Sequence, residues 1–202
     1  MPLKHPIFKH ITDVVDSMGV EAYVVGGYVR DYYLRRPSSD IDVVVVGSGI
    51  AVAEELGKVL GTKVVVYKTY GTAMLRWRGI EVEFVGARKE SYTPESRNPH
   101  VEPGTLEDDQ RRRDFTINAM AWSVNGKNFG ELVDPFGGME DMDDCIIRTP
   151  CEPDTTFSDD PLRMMRAVRF ASQLGFDIDD ETFEGICRQA ERIKIISKER
   201  YS

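Results

Sequence analysis

Apolar residues recur at three- and four-residue steps over residues 7–18 (Ile7, Phe8, Ile11, Val14, Val15, Met18), which predicts an amphipathic helix stopped by Gly19. Residues 22–25 (AYVV) then read as a short buried strand running into Gly26 and Gly27, and residues 28–36 as a helix that ends before Pro37. The β-branched run IDVVVVG suits a central strand. A helix through AVAEELGKVL and a strand at KVVVY follow, and residues 73–77 and 80–85 read as a hairpin turning on Arg78 and Gly79. The alternation implies a mixed sheet flanked by helices.

Residues 88–110 carry three prolines, few apolar positions and many charges, which predicts a mobile loop. A loop of that length inside a compact domain is usually functional or disordered, and a gate that closes over a site is the role expected of this one. Phe115, Ile117, Met120, Ala121 and Trp122 read as a helix, FGELVDPFGG as a strand ending in a turn, and residues 145–148 as a last strand. From Phe157 the pattern is helical alone, through DDPLRMMRAVRFASQLGF and ETFEGICRQAERI. The expected division is an α+β unit over residues 1–150 and an all-helical unit over 151–202, the latter incomplete because ISKERYS opens one more helix.

Hydrophobic residues at 41% and charged residues at 30% are the balance of a globular protein. No apolar run has the length of a bilayer span and the N-terminus lacks a signal-peptide pattern, so the expected compartment is the cytoplasm, with no membrane partner. Three cysteines without C-x-x-C spacing suggest neither disulfides nor zinc and read as buried or half-buried; the three scattered histidines suggest no role. A net charge of −8 argues against a protein that coats nucleic acid. Yet Arg111, Arg112 and Arg113, and then Arg163, Arg166 and Arg169, form dense local clusters, and placement rather than the sum governs binding.

The sharpest chemical signal is SSDIDVVVV. Asp40 and Asp42 stand two apart at a strand entrance, so both carboxylates point to one face, and such a pair resists crowding unless a cation lies between them. A pair of Mg2+ ions would supply it. An isolated D-x-D equally suits a solvated strand end. Here VVGGYVRD lies ten residues upstream, and its glycine turn and helix start suit the close approach of a phosphate.

GGYVRD followed by DID resembles the signature of class II tRNA nucleotidyltransferases and bacterial poly(A) polymerases, of the DNA polymerase beta superfamily. RRRDFTINAMA at residues 111–121, DPFGG at 134–138 and SDDPLRMMRAVRF at 158–170 resemble that family's later blocks, in family order. The resemblance implies a polymerase-beta-like head followed by an all-helical neck. It implies that Asp40 and Asp42 hold the catalytic metals, that Gly26, Gly27 and Arg30 hold the triphosphate, and that Arg113 contacts the nucleotide. Asp160 and Arg163 would face the base, with Arg166 and Arg169 assisting at base or phosphate. Asp159 departs from the pattern, standing where the family more often has glutamate.

Physical chemistry supports the base-reading pair independently, because a guanidinium and a carboxylate three residues apart on a helix can present donors and acceptors together. Leu162, Met165 and Val168 then read as that helix's packed side. Glu81 and Glu83 share a strand face, and either is a candidate third carboxylate. Tyr23, Trp77, Phe84, Trp122 and Phe170 read as core, which leaves no evident stacking platform for RNA. The implied reaction is addition of CCA to tRNA 3′ ends from CTP and ATP with release of pyrophosphate. Poly(A) synthesis, A-only addition to tRNA, an inactive RNA- or nucleotide-binding module, and transfer to a small molecule or protein are the alternatives.

Overall fold

The computed structural model describes residues 2–196. Its elements in chain order begin with α1 (Ile7–Met18), β1 (Glu21–Val25), α2 (Gly27–Tyr33), β2 (Asp40–Val46), α3 (Gly49–Leu60), β3 (Val64–Tyr67), β4 (Thr72–Trp77) and β5 (Ile80–Gly86). They continue with β6 (Arg88–Ser91), β7 (His100–Pro103), α4 (Leu106–Arg111), β8 (Ala121–Ser123), β9 (Leu132–Val133), α5 (Gly138–Asp143) and β10 (Ile146–Ile147). The last are α6 (Pro153–Asp159), α7 (Leu162–Leu174), β11 (Asp177–Ile178) and α8 (Asp180–Gln189).

Seven strands form one sheet in the order β3-β4-β5-β2-β1-β8-β9. Only β2 and β5 run parallel in it, so the sheet is mixed and the class is α+β. The alternation of β2 decides its two faces: Ile41, Val43 and Val45 enter the main core with Phe8 and Ile11 of α1 and Val52 and Leu56 of α3. On the opposite face Val44 joins Tyr23, Val25, Ala87, Leu106 and Ala121 in a smaller cluster. Asp40 and Asp42 lie on that second face, beyond the cluster's edge.

Four expectations fail locally. Residues 88–110 are not a structureless loop: β6 and β7 pair antiparallel, and α4 starts on a capping box in which Thr105 and Asp108 satisfy each other's backbone N–H. The expected helix over residues 115–122 is a single 3-10 turn at Thr116–Asn118 followed by β8, because Ala121 and Trp122 pair with Val25 and Val24 of the sheet. On α7 the packed side is Met164 and Ala167, whereas Val168 is 59% exposed. At about 100° per residue, Arg163, Met164 and Ala167 share one side of the helix, whereas Leu162, Met165 and Val168 centre on the other. The C-terminal stretch is not purely helical, since β11 pairs in parallel with β10.

Smaller differences follow the same logic. Helix α2 stops at Tyr33 because Arg35 turns left-handed, with φ 56°. Cys145 and Cys187 are exposed rather than buried. Trp77 is only half-buried, with the Arg78 guanidinium 4.3 Å from its ring centre. The helix expected from ISKERYS lies, beyond Ile196, outside the described residues. Among the described residues no helix is long and apolar enough to cross a membrane.

Candidate active site

The parallel pairing of β2 with β5 sets Glu81 beside Asp40 and Glu83 beside Asp42, all on one sheet face. Arg76 of β4 draws Glu81 away, its Nε donating to Glu81 Oε2 at 3.0 Å. Glu83 has no such partner among the described residues and faces Asp42. Solvent reaches Asp42 from the open side of the cleft, yet protein surrounds the rest of it. Burial pushes its carboxyl above the usual range, Asp40 adds to the rise and Arg113 opposes it. Glu83 is raised too, by burial and then by the charges of Asp42 and Glu81. The site is short of positive charge at the carboxylates.

That shortage predicts a pH-dependent stability. A carboxyl whose folded pKa lies above its unfolded one contributes stability below the ordinary value of 3.8, and the contribution is lost as pH rises through the folded value. In metal-free buffer at neutral pH, Asp42→Asn is therefore expected to melt higher than the wild type, with the gain disappearing near pH 3.8. A variant melting lower at neutral pH would show that Asp42 is not held at a cost.

Gly26 ends β1 with φ 77° and ψ −137°, a conformation that favours glycine, and a Cβ there would lie 3.4 Å from Arg113 Nη1. The turn brings Arg30 of α2 inward. Its Nη1 donates to Asn118 Oδ1 at 2.6 Å, its Nε to Asp31 Oδ1 at 3.1 Å, and the guanidinium lies 5.1 Å from the Phe170 ring centre. Arg166 stands at the same 5.1 Å from that ring and donates to Asp114 Oδ2 at 2.6 Å. The other Asp114 oxygen accepts from Phe115 N–H at 2.8 Å and Asn118 Nδ2 at 3.1 Å. One linked network thus fixes two cations over a half-buried aromatic ring.

Arg113 is fixed from behind. Asp109 of α4, 0% exposed, accepts its Nη2 at 3.1 Å through Oδ1 and Arg112 Nη2 at 3.2 Å through Oδ2. Burial pulls the Arg113 guanidinium down, and the charges of Asp109 and Asp42 pull it back. The expected base-reading pair is arranged differently from a free edge. Asp160 is gripped by the fork of Arg97, Nε to Oδ1 at 2.8 Å and Nη2 to Oδ2 at 3.1 Å. Arg163, 9% exposed, donates to the carbonyls of Thr156 at 3.2 Å and Arg112 at 2.6 Å.

A cleft of ≈ 420 Å³ gathers Gly26, Gly27, Arg30, Asp42, Arg113, Asp160, Arg163 and Arg166. Asp40 opens instead onto an adjoining groove with Arg76 and Arg78. Arg169 is exposed and does not line the cleft. Sequence reasoning passed over Asp109, Asn118 and Arg97. Two of these carried a signal: Asp109 precedes Arg112 and Arg113 by three and four residues, and Asn118 follows Asp114 by four, the spacings at which helical or turn neighbours meet. Arg97 carried none, since only the β6–β7 fold brings it to Asp160.

The donor set fits a hard divalent cation. Two aligned carboxylates with a third beside them offer only oxygen, and Mg2+ is usually held by one or two carboxylates together with substrate phosphates. Among the described residues no group of three or more His, Cys, Asp or Glu is placed to hold a metal ion by itself.

Residues 22–148 match the family described as "Poly A polymerase head domain", and residues 175–202 the one described as "Probable RNA and SrmB- binding site of polymerase A". The A-adding tRNA nucleotidyltransferase of Aquifex aeolicus (strain VF5) is 42% identical over 179 residues, covering 89% of this chain and 21% of that protein. The CCA-adding enzyme of Bacillus subtilis (strain 168) is 39% identical over 189 residues, 93% of this chain and 46% of that one. A solved tRNA nucleotidyltransferase complexed with a primer tRNA and an incoming ATP analog superposes with a TM-score of 0.82 at 37% identity, over 94% of this chain and 53% of that one. The chain therefore spans about half or less of the curated relatives it matches.

Proposed function

Because the chain belongs to the poly(A) polymerase head-domain family, we propose that it is the catalytic part of a template-independent RNA nucleotidyltransferase that adds CCA to tRNA 3′ ends. The observation that carries this reading is one cleft lined by Asp42, the Gly26–Gly27 turn, Asp160 and Arg163 together. Residues 1–150 are read as the head and 151–202 as the start of a helical neck. The reading implies the cytoplasm as the working compartment.

The RNA 3′-hydroxyl gives its proton to solvent as its oxygen bonds to the α-phosphorus of CTP or ATP, and the bond from that phosphorus to pyrophosphate breaks. Arg30 and Arg113, aimed into the cleft, hold and neutralise the triphosphate beside the Gly26–Gly27 turn. Asp40 and Asp42 would hold the divalent cations, with Glu83 rather than Glu81 as the third carboxylate. Bound Mg2+ would supply Lewis-acid stabilisation of the charge that develops on the phosphates. Arg166 keeps the Arg30 side of the cleft in place through Asp114 and Phe170. Asp160 and Arg163 form the floor on which the base is read, and catalysis rests on positioning and charge stabilisation. Arg169, outside the cleft, is left without a nucleotide contact in this scheme.

The Arg97–Asp160 pair gives the gate at residues 88–110 a physical form: a base reaches the Asp160 carboxylate only after the Arg97 fork leaves. Arg97→Ala is expected to lower the nucleotide KM by about two- to fivefold, the scale of a partly exposed ion pair, and to lower the melting temperature by no more than about 4 °C. A raised KM would show that Arg97 helps to hold the nucleotide instead.

Incubating the protein with tRNAs ending before CCA, after C or after CC, with CTP and ATP supplied separately, tests the specificity. Ordered incorporation of both is expected; absence of CTP incorporation would leave A-only addition, the activity named for the Aquifex relative, or poly(A) synthesis.

A further inference from the structure

The sheet face that carries the carboxylates continues past them toward the β3 edge. Pairing sets Met74 beside Glu83, Val65 beside Met74, and Tyr67 beside Thr72, which neighbours Val85. Val64 and Val66, the alternate positions of β3, pack against the main core instead. The outer positions stay open: Val65 is 38% exposed, Tyr67 45% and Tyr70, just beyond β3, 71%. Neither tyrosine ring packs on another ring, and neither hydroxyl makes a hydrogen bond among the described residues. Val65, Tyr67 and Tyr70 thus form an exposed apolar patch at one edge of the sheet, and a contiguous patch rather than a lone exposed side chain is what marks a binding surface.

Position decides which occupant. A cavity of ≈ 590 Å³ is lined by Asp42 and Glu83, by Tyr67 and Tyr70, and by Arg112 and Arg113. Asp42, Arg112 and Arg113 also line the ≈ 420 Å³ cleft that holds Gly26, Gly27 and Arg30, so the two spaces meet along these three residues. In an in-line displacement the attacking and leaving oxygens lie on opposite sides of the phosphorus. With pyrophosphate leaving on the glycine-turn side, the attacking hydroxyl enters from the tyrosine side. Sheet-borne aromatic side chains stack the unpaired bases of single-stranded RNA, and arginines alongside meet its phosphates.

We propose that Tyr67 and Tyr70 form the stacking platform for the terminal bases of the single-stranded RNA 3′ end, presenting its hydroxyl to Asp42. This rests on the nucleotidyltransferase reading above. The platform escaped sequence analysis because Tyr67 sits in an apolar strand pattern, and only the pairing register shows which face it takes.

The test is the KM for an RNA hairpin with a single-stranded CC end, the KM for ATP, and the anisotropy of the same RNA carrying a fluorescein label, for wild type and for alanine and phenylalanine variants at each position. Tyr67→Ala and Tyr70→Ala are each expected to weaken RNA binding about tenfold or more, the scale of one lost base stack, and to leave the ATP KM unchanged. Tyr67→Phe and Tyr70→Phe keep the ring and are expected to restore binding. Unaltered RNA affinity in both alanine variants, or an effect confined to the ATP KM, would overturn the platform. So would loss of self-association in the alanine variants with RNA binding intact, which would make the face a contact between two copies of the chain. Failure of the wild type to extend or bind the hairpin would instead overturn the functional reading beneath it.

Discussion

Replacing Asp109 with alanine is expected to lower stability by about 3 kcal/mol, which for a chain of this size lowers the melting temperature by about 6–12 °C. The carboxylate is 0% exposed and accepts from both Arg112 and Arg113, and from the backbone N–H of Arg88 at 3.3 Å. Its removal leaves two partly buried guanidiniums facing each other and frees the first residue of β6. Glu90 lies 3.5 Å from Arg112 and can keep that cation partly paired, whereas among the described residues Arg113 has only Asp109 as an ion-pair partner. The damage falls mainly on Arg113, which lines the nucleotide cleft. Urea denaturation followed by circular dichroism measures the loss. A change below about 1 kcal/mol, the scale of an exposed pair, would mean that solvent already screens the clamp.

Elements that bury a regular stripe were legible in the sequence. Helix α1 runs over Ile7–Met18 as its periodicity indicates, and the β4–β5 hairpin turns at Arg78 and Gly79. Elements held by polar groups were not. Helix α4 contains one buried apolar side chain, Leu106, and owes its place to the Thr105 cap and to buried Asp109 and Gln110, so no hydrophobic period announces it. The stretch Phe115 to Trp122 has a helix-like density of apolar residues because it turns a corner with both sides buried, and density alone cannot separate those cases.

The candidate site divides along the same line. Asp42, Gly26, Gly27, Arg30, Arg113, Asp160, Arg163 and Arg166 come together in one cleft. Their local motifs fix the strand end, the turn and the helix start that carry them. What sequence could not give is which partners already hold each group. Asp160 belongs to Arg97 and Arg163 to two carbonyls, contacts separated by 63, 7 and 51 residues along the chain.

Asp40→Ala and Asp42→Ala are expected to reduce nucleotide incorporation about 10³-fold or more, since each removes part of a metal clamp worth several kcal/mol in the transition state. The loss is expected without loss of fold. Asp40 and Asp42 are not in the core, and the Asp42 carboxyl is already held above its usual pKa by burial and by Asp40. The two variants test the same chemistry from different sides, because Asp42 lines the nucleotide cleft and Asp40 the groove beside it. The decisive measurement is Mg2+-dependent incorporation of labelled CTP and ATP into tRNA lacking its CCA end, by wild type and by each variant with its melting temperature checked. Incorporation by the wild type that requires Mg2+ and is lost in both variants is the expected result; incorporation at the wild-type rate by either folded variant would contradict the account.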